Sequence, residues 1–190
     1  MKTHLTILAL ALLAAGCSSQ DKTEPKEAEL TTIHEFMTQR IDPDADAIWA
    51  IGNDALDEDA SMNPAKMTDA DWANLRTAAD RMAGHARTLE NLDPLVVTKP
   101  GVKIADEGAE GAPTPAMIEA HLRKDTDVFR ALADSLTTHA TDLSAASAKK
   151  DHANAGRLIN EMDGVCESCH LEFWYPEQKQ LMQEMGILPG

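Results

Sequence analysis

Apolar residues recur at steps of three and four along most of the chain. That spacing places them on one face of successive helices. Leu30, Ile33, Met37 and Ile41 form the first stripe. Pro43 interrupts it, because a proline has no N–H to donate and tolerates only the first turn of a helix. Ala45, Ile48, Trp49, Gly52 and Leu56 resume the period, so one interrupted helix is predicted over about residues 30–57. Asn63-Pro64 marks a turn. Thr68 then has the character of an N-cap, with Asp69 and Asp71 in the turn that follows. Trp72, Leu75, Ala79, Met82, Ala86 and Leu89 give the second helix a narrow seam suited to packing against other helices. Residues 91–114, rich in Pro, Gly and acids, carry no period and read as a long connection.

Thr114-Pro115 opens the third helix, with Pro at its first position. Its seam runs through Ile118, Leu122, Phe129, Leu132, Leu136 and Leu143. Asp125 and His139 weaken that seam, with Val128 standing in for Asp125 and His139 predicted to be a hydrogen-bonded core residue. The fourth helix starts near Asp151. It presents Leu158, Ile159, Met162, Val165, Cys166, Cys169 and Phe173 on one face and ends or bends at Pro176. The tail from residue 178 to 190 has room for a further short helical turn. Few β-branched or aromatic residues stand beside the abundant Ala and Leu, so no strand is expected. The fold class predicted is all-α: an antiparallel four-helix bundle.

The first residues carry a different signal. Lys2 and His4 precede an apolar run from Leu5 to Ala15, short for a membrane span and closed by small residues. Leu13-Ala14-Ala15-Gly16-Cys17 resembles a bacterial lipobox, with Ala14 where Leu is usual. The resemblance implies a signal peptide over residues 1–16 and lipidation of Cys17. Residues 17–29, made of Ser, Asp, Lys, Glu and Pro, then form a flexible tether. The domain proper is expected over 30–190. It would face the bacterial periplasm, held to the inner or outer membrane through the N-terminal lipid only.

Charge narrows the partners. With 17 basic and 32 acidic residues the net charge is -15. Nucleic acid and anionic membrane surfaces both require basic patches and are poor partners. A redox protein with a basic docking surface is the easier fit.

The chemistry is concentrated in Cys166-Glu167-Ser168-Cys169-His170. This C-x-x-C-H run is the signature of covalent c-type haem attachment. Two thiols three residues apart on a helix reach both vinyl groups of one porphyrin, and the following imidazole comes under the iron. A redox-active dithiol calls for a strand-turn-helix context, and none is visible. A structural zinc site calls for four ligands, commonly with a second Cys/His pair, and there is no second Cys pair. One haem c, bound through Cys166 and Cys169 with His170 as proximal ligand, is therefore expected on the last helix of the bundle.

The run from Val165 to Glu177, together with Met37 and the stretch Ile41-Asp42-Pro43-Asp44-Ala45-Asp46-Ala47-Ile48-Trp49, resembles class II c-type cytochromes. This is the cytochrome c′ family, and the likeness is to its low-spin branch with Met and His ligands. It covers roughly residues 30–178. It implies a haem packed inside the bundle near one end, with the first helix on the distal side. Met37 is then the distal ligand, since its soft thioether binds haem iron. Without the haem context, a Met on an apolar stripe reads as packing. His34, about one helical turn earlier, is the rival ligand and would give two imidazoles. Arg40 is placed to pair with a haem propionate, and homodimers are compatible with the resemblance.

His85, His121 and His152 carry no motif, and His152 lies about 27 Å from His170 along a helix at ~1.5 Å per residue. Trp49, Trp72 and Trp174 read as packing residues, with Trp174 and Tyr175 beside the haem edge. No phosphate loop, nucleophile arrangement or acid-base pair is visible, so an enzyme is not expected. A six-coordinate iron points to a one-electron carrier. An iron left open by Met37 would instead bind NO or CO. A third reading has the haem serving an accessory role in a larger membrane-anchored complex.

Overall fold

The structure, a computed structural model, describes residues 32–59, 61–105, 107–109 and 112–188. The expected signal peptide, Cys17, the tether and Leu30 lie outside those residues. The described residues are helical with no strand; Leu56 and Met62 meet in a single isolated bridge. The all-α expectation holds. None of the described helices is long and apolar enough to cross a membrane.

The first predicted helix is present as three joined pieces: α1 (Ile33–Phe36), a π-helical turn (Met37–Ile41) and α2 (Asp42–Ala55). Thr32 caps α1, its Oγ1 accepting the Glu35 N–H at 3.2 Å. The next two orphan donors of the helix start are satisfied from a distance. Ile33 N–H donates to Val96 O at 2.8 Å and His34 N–H to Val97 O at 3.0 Å. Pro43 falls in the first turn of α2, where a missing N–H is tolerated, and a π turn precedes it.

α3 (Asp69–Glu90) starts at the predicted cap. Asp71 N–H donates to Thr68 Oγ1 at 3.2 Å, and Thr68 N–H returns the bond to Asp71 Oδ2 at 2.8 Å. The third predicted helix is two. α4 (Pro115–Lys124) and α5 (Thr126–Ala148) break at Asp125, whose backbone leaves the helical region at φ -127, ψ 44. The break explains the weak point in the seam. Val128 does not replace Asp125, for it lies exposed on α5. α6 (His152–Phe173) begins after the Asp151 cap, and α7 (Pro176–Glu184) follows where only a short turn was expected.

α3 packs most extensively on α5; α5 also meets α6, and α2 meets both α3 and α6. Buried Ala78, Ala79, Ala83 and Ala86 on α3 face a similarly small-residue surface on α5, including Ala133, Ala140 and Ala146. Small side chains let the helix backbones approach closely. The interior divides into two apolar cores. One contains Ile48, Leu75, Met82, Leu143 and Met162. The other contains Ile33, Val97, Ile118, Leu122, Phe129 and Phe173. His139 is buried, its Nε2–H donating to Leu158 O at 2.8 Å, so it is the hydrogen-bonded core residue expected. The 91–114 connection is no loose loop: Val97 and Ile104 are buried in the second core.

Candidate functional site

α6 carries Cys166, Cys169 and His170 in its last two turns. The spacing of three residues puts both thiols on one helix face. That face lies where the two cores meet. Cys166 packs against the first core and Cys169 against the second. Met37 touches both cores from the opposite side.

Between them lies a largely apolar cavity of about 330 Å³. Cys166, Cys169 and His170 line one wall, Met37, Ile41 and Ala45 another, and Phe129 and Leu136 of α5 a third. Its volume falls in the usual range for cofactor pockets, ~300–1,000 Å³. A second cavity of about 230 Å³ shares Met37, Asp42, Cys169 and His170 with the first. It continues to His34, Ile104, Trp174 and Tyr175. The predicted motif and the predicted distal Met are thus brought to the same space. His34 reaches only the smaller cavity.

Electrostatics set the state of the thiols. Burial, with the negative charges of Asp163 and Asp42, pushes Cys166 up to about 11. Burial, with Cys166 and Glu172, pushes Cys169 up to about 12. Both stand near the negative end of the α6 dipole, which also opposes a thiolate. Reactive dithiols have the reverse setting, a helix N-terminus and a lowered pKa. The two sulfurs are not joined in a disulfide.

His170 Nδ1 lies 3.7 Å from Glu167 Oε2, and its ring meets that of Trp174 edge-on at 6.4 Å between centroids. Asp42 stands at the rim of both cavities. Crowding around its carboxylate, then Asp46, raises its pKa, while the imidazoles of His170 and His34 act in the other direction.

Arg40 stands on the π turn and lines neither cavity, and its Nη1 donates to Gln39 O at 3.0 Å.

His85 pairs with Asp44, and His121 Nδ1 with Phe173 O at 3.0 Å. His152 is exposed at the start of α6. Trp174 and Tyr175 do lie beside the site. Several wall residues escaped the sequence reading as site residues: Asp42, Ala45 and Phe129, and Ile104 from the long connection. Periodicity marks Ala45 and Phe129 as core and says nothing of which core atoms line a void.

The donor set tests what the cavity suits. Among the described residues no three His, Cys, Asp or Glu side chains gather as a metal-binding group. One imidazole, one thioether and two thiols face this space, all of them soft or borderline donors. Compared with family models, with curated proteins and with solved structures, the chain finds no match.

Proposed function

We propose that the chain is a c-type cytochrome of the cytochrome c′ kind. In this reading α2, α3, α5 and α6 form the antiparallel four-helix bundle and hold one covalent haem c. The observation that carries it is the placement of a complete C-x-x-C-H motif on one wall of an apolar cavity that also has Met37 on its wall. Cys166 and Cys169 hold the porphyrin by thioether bonds. Their neutrality and burial suit that use, since nothing asks the sulfurs to carry charge. His170 would be one iron ligand, with Glu167 standing on its Nδ1 side so that Nε2 would face the metal. Met37 would supply a sulfur as the other.

When bound, the haem supplies one-electron exchange. Ile41, Phe129 and Leu136 would give the group an apolar wall, and Met37 and His170 would hold its iron. Ligation by Met and His would raise the reduction potential of such a haem. The protein is accordingly a one-electron carrier rather than an enzyme. It works in the periplasm, tethered by lipid at Cys17, with redox partners that offer a basic surface to its acidic one. Arg40, one turn beyond Met37, would be the partner for a haem propionate.

Optical spectra of the purified holoprotein test the axial ligands. The oxidised form is expected to be low-spin with a weak far-red sulfur-to-iron band, lost in Met37→Ala. The reduced form is expected to be indifferent to CO, and Met37→Ala to bind it. A high-spin spectrum that shifts promptly with CO in the unaltered protein would replace the carrier with an NO- or CO-binding haem protein.

A further inference from the structure

Met37 opens the π-helical turn, and the Asp42 N–H closes that turn by reaching back to the Met37 carbonyl. A π turn holds one residue more than the α-helical alternative and is rare unless its surroundings retain it. Relaxing it to α-helix would rotate α1 and Met37 by about 100° relative to α2. The thioether would then leave the cavity wall. Something must fix the segment on both sides of the turn.

On the N-terminal side, the Val96 and Val97 carbonyls hold Ile33 and His34, and Lys99 pairs with Glu35. On the C-terminal side stands Asp44, whose side chain is only 4% exposed. Arg81 of α3 donates to Asp44 Oδ1 from Nε at 2.7 Å and from Nη2 at 2.6 Å. His85 Nδ1 lies 2.9 Å from Asp44 Oδ2. The next residue, Ala45, lines the cavity. A buried carboxylate stripped of its partners is strongly unfavourable, so α2 cannot rotate away from Arg81 and His85. An apolar residue would pack α2 on α3 comparably well but would not fix its rotation.

We propose that Asp44, clamped by Arg81 and His85, is a positioning residue for the Met37 thioether: it retains the π turn that keeps Met37 on the cavity wall. The proposal rests on the haem reading above.

The test uses the holoprotein with Asp44→Asn and, separately, the double variant Arg81→Gln plus His85→Gln. The far-red sulfur-to-iron band is the deciding readout. Amide hydrogen exchange at Asp42 and thermal unfolding accompany it. In folded variants with haem still covalently bound, the band is expected to fall to a minor fraction. Exchange at Asp42 should rise about tenfold or more, as loss of a charge-assisted bond implies. Folded variants that keep the full band overturn the proposal, whatever their melting temperature. Failure of both variants to fold overturns it as well, because a positioning role requires the rest of the fold to stand without the clamp. Absence of the band from the unaltered protein would remove Met ligation itself, and the proposal with it. Loss confined to the variants supports both.

Discussion

Cys166 and Cys169 are raised from an ordinary thiol value of 9.0 because they are half-buried and desolvated beside acids at the negative end of a helix. In the haem-free chain this couples folding to alkaline pH. The unfolded thiols ionise near pH 9, while the folded ones hold their protons until about 11 and 12. Between those limits the folded state binds more protons than the unfolded state, so stability falls as pH rises. Urea midpoints of the haem-free chain are therefore expected to drop from pH 8 to 10 more steeply than those of Cys166→Ala plus Cys169→Ala. The holoprotein, whose thioether sulfurs do not ionise, should lack that extra slope. Equal slopes for the haem-free chain and its double variant would contradict the burial of the thiols. The thiols and His170 were legible as a candidate site because their chemistry resides in five consecutive residues. Asp44 was not legible in this way. Its partners, Arg81 and His85 of α3, follow from the fold and leave no mark on local spacing.

At the scale of elements, helix starts were readable wherever the cap is local, as at Thr68, Thr114 and Asp151. The π turn and the break at Asp125 were hidden because an apolar stripe tolerates a shift of one residue without losing its face. The capping of α1 by Val96 and Val97 joins segments some sixty residues apart in sequence, a contact that no periodicity encodes. Close helix approach is likewise invisible until the neighbours are known. A Cβ added at Gly156 of α6 would lie 2.9 Å from Met62 Cβ and 3.4 Å from the Met62 backbone nitrogen. Gly84 of α3 has nothing within 4 Å. Gly156→Ala is expected to destabilise the protein by about 1–3 kcal/mol through overpacking. Gly84→Ala should stabilise it by about 0.5–1 kcal/mol, through helix propensity alone. Denaturant unfolding of the two variants checks the opposite signs, and a shared sign would contradict the packing described.

For the molecule as a whole, the organising feature is a core in two parts with a cavity at their junction. A chain of this size normally fills its interior to the density of an organic crystal. Here Met37 bridges the two cores, Cys166 belongs to one and Cys169 to the other, and the space between them is left open. In the proposed reading a haem completes that interior, and the fold is a container whose last long helix fastens the contents. Covalent attachment at Cys166 and Cys169 is the claim on which the rest depends. It is tested most directly by haem staining of the chain, produced with its export and haem-attachment machinery, on a denaturing gel. The stain is predicted to coincide with the intact chain, to survive acid-acetone extraction, and to vanish in Cys166→Ala plus Cys169→Ala. Haem that leaves the unaltered chain in acid acetone, or a chain that never stains, would contradict the account.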